Sequence, residues 1–332
     1  MNRQLQYFNT PSRCCTLLLG PGLLVIGAMT GSSPLVAADA PSWPCYQGPN
    51  GNFSASDCNL TLVDDLAQAK LLWKSEEPTP VGAGQSKRYG GHGWHTISLG
   101  NYKAVTIPLA GGGTVTSGGG VPLPSGGCAS PVMADGRLFV SYFVPTGEVV
   151  DAGEQTKRDK GPGTWTPDYW KVDAHDVILA IDPATGKTLW KQVFANKGIN
   201  WQDHKSCMTG HAPCTYNGRV YAIGSTCRVY CVEAATGKPV WEADLGAEHQ
   251  RIEEHKKKSL ETKAATFGVN RGHCNSSAFA AGVLVCPDYQ GGLIGFDGVS
   301  GKKLWSLTAC IGKYGTPTRS RTGRCRVLST GN

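Results

Sequence analysis

An eleven-residue segment recurs three times in this chain, and no other feature constrains its fold as much. Ala180–Trp190 reads AIDPATGKTLW, Cys231–Trp241 reads CVEAATGKPVW and Gly295–Trp305 reads GFDGVSGKKLW. Each copy keeps a carboxylate at its third place, Thr or Ser at its sixth, Gly-Lys next and Trp at its eleventh. A repeat of this kind means that one supersecondary unit stacks on copies of itself, because a single unit cannot bury its own apolar face.

Each copy is predicted to be a hairpin. Apolar residues precede the acid (Val177, Ile178 and Leu179 in the first copy), and β-compatible Thr-Leu-Trp or Pro-Val-Trp follows the lysine. The carboxylate is placed to accept hydrogen bonds from N–H groups two or three residues on, while Gly186, Gly237 and Gly301 supply the positive φ such a turn requires. A second hairpin lies upstream of each copy. Asp135-Gly136 sits between apolar flanks in 130–140, Asn217-Gly218 does so in 212–222, and 277–285 is a weaker version. Two hairpins make a four-stranded antiparallel sheet, which is one blade of a propeller. Lys70-Leu-Leu-Trp73 echoes the outer strand of a blade, and 314–328 repeats an opening hairpin. The expected fold class is therefore all-β: an incomplete β-propeller of four-stranded antiparallel blades, three of them full, with one short helical insert.

The pattern Ala-x-Asp-x-x-Thr-Gly-Lys-x-x-Trp resembles the tryptophan-docking motif of the β-propellers related to pyrroloquinoline-quinone (PQQ) enzymes. Residues 180–190 match it throughout, the second copy has Cys231 and Glu233 for Ala and Asp, and the third has Gly295 and Ser300 for Ala and Thr. The resemblance covers roughly residues 66–332 and implies that Trp190, Trp241 and Trp305 pack against neighbouring blades. It implies no single activity, since that family mixes dehydrogenases with non-catalytic scaffolds. A quinoprotein dehydrogenase would hold PQQ between a tryptophan and a disulfide of adjacent cysteines, with calcium on acid and amide oxygens. The only adjacent cysteines here, Cys14 and Cys15, fall within a leader. The expectation is a binding or scaffold module without a cofactor; the alternative is a dehydrogenase using PQQ and calcium.

That leader occupies residues 1–38 and reads as a signal peptide: Arg3 and Arg13 precede or flank an apolar core from Thr16 to Met29, no acid occurs before Asp39, and Val36-Ala37-Ala38 offers small residues for cleavage. Gly20-Pro21-Gly22 interrupts the core and argues against a membrane-spanning helix. A secreted or periplasmic location follows, with a loop-rich segment over 39–65 and the propeller repeats over 66–332. Losing Arg3 and Arg13 lowers the net charge from +7 to +5. Much of the remaining positive charge is local: His255-Lys256-Lys257-Lys258 lies beside Glu253, Glu254 and Glu261, which reads as an exposed helical insert rather than a nucleic-acid patch. Of the eleven cysteines after the leader, Cys45 and Cys58 are the expected local disulfide. Cys227 and Cys231 are too far apart along one strand to bridge, and strand positions such as Cys231 and Cys286 suit small buried hydrophobes.

The repeat also separates two faces. The turns within hairpins are tight, whereas 74–127, 144–175, 191–210 and 243–273 emerge opposite them, and long loops on a rigid scaffold gather binding residues. These loops contain His92 and His95, the aromatics Trp165, Tyr169 and Trp170, and the series His204, Cys207, His211, Cys214. That series lacks the closely spaced cysteine pairs of zinc sites, and His211 is expected to be a hydrogen-bonded structural residue, so no metal is assigned. Gly111–Gly113 and Gly118–Gly120 lack the strand-to-helix context of a phosphate loop, and no nucleophile elbow is present. No catalytic residues are assigned. The long-loop face is the expected recognition surface, for a protein or an envelope polymer.

Overall fold

The computed structural model describes residues 42–49, 70–76, 105–108, 114–117, 129–151, 169–199, 211–262, 276–288, 291–308, 318–319 and 325–326. The leader, Cys58, His92, His95, Trp165, His204, Cys207 and the two Gly-rich triplets lie outside these residues.

Three four-stranded antiparallel sheets follow one another along the chain. A separate two-stranded ladder, β1 (Val105–Pro108) with β2 (Thr114–Ser117), precedes them. The first blade contains β3 (Val132–Ala134), β4 (Arg137–Asp151), β5 (Tyr169–Ile181) and β6 (Thr188–Ile199). The second contains β7 (Cys214–Tyr216), β8 (Arg219–Ile223), β9 (Arg228–Glu233) and β10 (Pro239–Asp244). Helix α1 (Ala247–Thr262) leads to the third, β11 (Ala278–Ala280), β12 (Val283–Pro287), β13 (Leu293–Asp297) and β14 (Lys303–Leu307). Two short strands, β15 (Thr318–Arg319) and β16 (Cys325–Arg326), then pair as the anticipated opening hairpin of a further sheet. These are the blades of a β-propeller. β3 touches β7 and β7 touches β11, so the first strand of each blade lies innermost.

The turns have the predicted chemistry. Asp135-Gly136 and Asn217-Gly218 have φ of 50° and 67°, and 47° and 68°, the two successive positive values of a tight hairpin turn. The weaker third version uses Ala281-Gly282 in the same conformation. In the repeated motif, the amide of Ala184 donates to Asp182 Oδ1 (2.9 Å) and the hydroxyl of Thr185 to Oδ2 (2.7 Å). Asp297 accepts from the amides of Val299 and Ser300, and Glu233 from the Thr236 hydroxyl. These bonds hold the carboxyls of Asp182 and Asp297 below the usual carboxylate range.

The tryptophans join blades by one rule. Trp190 of the first blade lies over Gly237 in the second, Trp241 of the second lies over Gly301 in the third, and Trp73 lies over Gly186 in the first. In each case the indole N–H donates to the carbonyl of the residue after the turn acid: Trp73 to Pro183 (2.7 Å), Trp190 to Ala234 (3.0 Å) and Trp241 to Gly298 (3.2 Å). Glycine is required under each ring, because an added Cβ would come within 2.5 Å of the indole at all three sites. Trp305 corrects the expectation. It is 36% exposed, and its ring leans over Gly295 of its own sheet. Ala180 and Cys231 carry side chains at the matching cross-strand position, whereas Gly295 leaves that space open.

Apolar clusters fill the gaps between blades. Phe139, Ile178, Ala180 and Phe194 of the first blade pack with Val220, Tyr230 and Val232 of the second. Tyr221, Val229 and Cys231 pack with Leu284, Cys286 and Phe296 of the third, joined by Ile252 of α1. Cys227, Cys231 and Cys286 are fully buried in this core without disulfides, as small hydrophobes.

Candidate functional site

The first blade exceeds its neighbours on one side. β4 has 15 residues against 5 in β8, an excess of roughly 30 Å at about 3.3 Å per residue. Pairing of β4 with β5 continues from Val144↔His175 out to Asp151↔Tyr169. The extra length points away from the tight turns, because it lies at the end of β4 remote from Asp135-Gly136. Much of the long loop expected over 144–175 is thus a β-ribbon, with Tyr169 and Trp170 in strand β5, and 191–199 continues β6 beside it. Gly147 and Asn196 take positive φ where the ladder shifts register, and the Asn196 amide donates to His175 Nδ1 at 2.9 Å.

Helix α1 braces the base of this ribbon. Lys256 is buried, and its ammonium donates to the carbonyls of Asn196 (2.7 Å) and Gly198 (2.8 Å) and pairs with Asp173 (2.8 Å). His249 and Glu248 are buried as well, with His249 Nδ1 2.6 Å from the Thr226 carbonyl and Glu248 paired to Arg251. The insert is therefore a docked helix, not the solvated one expected from its mixed charges. Lysine at position 256 is retained inside because three oxygens replace its water.

Beside this brace lies a buried polar cluster between the first two blades. Asp176 accepts hydrogen bonds from the Ser225 amide (3.0 Å), the Ser225 hydroxyl (2.7 Å) and the Tyr230 hydroxyl (2.8 Å). Gly198 and Gly224 permit this, since a Cβ on either would collide with the Asp176 carboxylate. His211 places Nδ1 3.0 Å from the Ile223 carbonyl, and its own carbonyl accepts from Ser141. It is the structural residue anticipated, and Cys214 lies apart from it in the apolar core. Burial pushes the Asp176 carboxyl up, opposed by the bonds from Ser225 and Tyr230 and by the charge of Lys256. The cavity among Ser141, Asp176, His211, Ser225 and Tyr230 is about 20 Å³, room for one water and no substrate. The cluster ties two blades together.

A carboxyl raised by burial contributes most to stability below the ordinary carboxylate range, and that contribution is lost as pH rises through its folded value. Asp176→Asn removes the titration while keeping an oxygen for Ser225. The stability advantage of the natural protein over this variant is expected to shrink between pH 4 and pH 7. Urea midpoints measured at the two pH values check it, and a constant difference would contradict it.

A larger cavity, about 450 Å³, lies at the inner edge of the blades. The strap Ser42–Pro49 covers it, Tyr216 and Phe279 line it as a stacked pair with centroids 4.3 Å apart, and Asp135, Asn217 and Gly218 border it. Those border residues belong to the tight turns. The expectation that only the long-loop side offers space for recognition is corrected accordingly.

The donor set implied by PQQ chemistry does not form among the described residues. No group of three or more His, Cys, Asp or Glu side chains there is arranged to share an ion, and no two of the cysteines seen there are sequence neighbours. No step is therefore routed through a quinone.

Residues 174–323 match the family model described as outer membrane protein assembly factor BamB. No curated protein matches the chain. Among solved structures it is similar to the quinohemoprotein alcohol dehydrogenase from Comamonas testosteroni, with 17% identity, a TM-score of 0.30, and coverage of 54% of this chain and 20% of that one. BamB from Moraxella catarrhalis gives 14% identity, a TM-score of 0.28, and coverage of 58% and 52%. The computationally designed Ika8 protein gives 12% identity, a TM-score of 0.28, and coverage of 56% and 37%. The chain thus spans only a fifth to about a half of these proteins' lengths, and likenesses this distant carry no activity with them. The matched family model and the three tryptophan-bearing repeats place residues 174–323 in the PQQ-type β-propeller repeat family.

Proposed function

We propose that this chain is an exported binding module that recognises a protein partner through its long-loop face. The observation that carries the reading is the β-ribbon of the first blade, which extends beyond its neighbours and is stiffened at its base by the buried Lys256. A paired ribbon on a rigid blade presents a pre-organised surface, which lowers the ordering cost of association. The polar groups beneath it are engaged with one another around a water-sized space, which suits a support for a surface better than a reaction centre. The leader over 1–38 supports export, and the family model is named for an outer-membrane assembly factor, a role that proceeds by protein association.

A photo-crosslinking side chain placed at Val149 on the ribbon, and another at Lys238 on a tight turn, would test the proposal in the source cells. One discrete crosslinked protein band is expected from position 149 and none from 238. Equal patterns, or none at either, would reject the ribbon as the recognition element. Saturable, calcium-dependent PQQ binding with dye-linked alcohol oxidation would favour the dehydrogenase reading instead.

A further inference from the structure

The strap Ser42–Pro49 crosses the inner strands of two blades. Trp43 and Met133 exchange both backbone hydrogen bonds (2.7 and 2.9 Å) as an antiparallel pair on β3, and the Thr215 amide on β7 donates to the Pro44 carbonyl (2.8 Å). One residue onward along the strap and one back along β7 are Cys45 and Cys214. Both line the 450 Å³ cavity, and Cys45 packs against the apolar cluster that contains Cys214. Opposed residues in an antiparallel pair have Cα atoms about 4.5–5.5 Å apart, inside the range of about 4.4–6.8 Å that a disulfide spans. Cys231 is a less favourable partner for Cys214, since Tyr221 lies between them in the ladder, two strand spacings of roughly 4.8 Å across.

We propose that Cys45 and Cys214 are a cross-linking site, at which thiol–disulfide exchange with a small-molecule disulfide bonds the strap to the innermost strand of the second blade along the wall of the cavity. The two thiols have different roles. Cys45 is half-buried, with its Sγ 3.4 Å from the Gly48 carbonyl oxygen, and meets the reagent first. Its thiolate attacks one sulfur of the small disulfide, forming a mixed disulfide and releasing one thiolate. Cys214, 1% exposed, then attacks the Cys45 sulfur and releases the second. Two protein thiols are oxidised, one disulfide is reduced to two thiols, and the protons go to solvent. The second step is the slow one. Burial, with the neighbouring Cys45, Cys286 and Cys231, pushes the Cys214 thiol well above its ordinary range, so little thiolate is present near neutrality.

The cross-link does not depend on what the long-loop face binds, and its test is separate. The full chain, purified reduced, is incubated with oxidised glutathione at pH 8.5, alkylated and digested without reductant. A Cys45–Cys214 linked peptide is expected. In Cys214→Ser, Cys45 is expected to be trapped as a glutathione adduct; in Cys45→Ser, Cys214 is expected to remain reduced, because nothing relays the reagent inward. A link from Cys45 to Cys58, a link from Cys214 to Cys231 or Cys286, or both thiols alkylated in the natural chain would overturn the assignment. Glutathione on Cys214 in Cys45→Ser would overturn the order of attack.

Discussion

Gly237→Ala is expected to lower the free energy of unfolding by about 3 kcal/mol, whereas Gly218→Ala lowers it by about 1 kcal/mol. Both glycines have positive φ, 74° and 68°, so both variants incur the left-handed cost of an L side chain. They differ in what the new methyl meets. At Gly218 nothing lies within 4 Å. At Gly237 the Cβ would come within 2.5 Å of Trp190, so the indole must leave its seat and its hydrogen bond to Ala234. Overpacking of this kind adds about 1–3 kcal/mol to the backbone term. Urea unfolding with linear extrapolation separates the two variants, and equal losses would show that the tryptophan seats do not hold the blades together.

Lys256→Met should be nearly as damaging, by about 3 kcal/mol. Methionine keeps most of the aliphatic volume but strands the carbonyls of Asn196 and Gly198 and leaves Asp173 without its cation. Because Asp173 is partly exposed, water relieves some of that cost, which places the estimate at the lower end for broken buried pairs. The loss should be local as well as global. Amide exchange in α1 and at the base of the ribbon should accelerate more than in the third blade. An unchanged helix, with protection intact over Ala247–Thr262, would show that Ile252 and its apolar contacts suffice to dock it.

The blades were legible because the residues that build them act within a few positions of one another. An acid accepts from amides two and three places on, a glycine supplies the φ, and Asp-Gly or Asn-Gly closes the preceding hairpin. Features with distant causes were not legible. Lys256 sits in a run of charges that reads as solvated, and its acceptors come from backbone near 60 residues upstream. The ribbon over 144–151 contains Pro145 and Gly147, which locally signal a loop, yet cross-strand pairing with 169–175 makes it a ladder. Trp305 matches its motif fully, but docking also needs a glycine turn from a following blade, and its motif does not encode that. Asp176 carries no local signal, for Ser225 and Tyr230 reach it from about 50 residues away.

The offset between each indole and its glycine seat gives the ring a direction. Every blade is latched by the turn of its successor, so damage at a turn loosens the blade before it and leaves the one after it fastened. Mechanical or thermal failure should therefore travel from the carboxyl-terminal side towards the amino-terminal side, like a zip opened from one end, with Trp305 already the tooth that has no mate among the described residues.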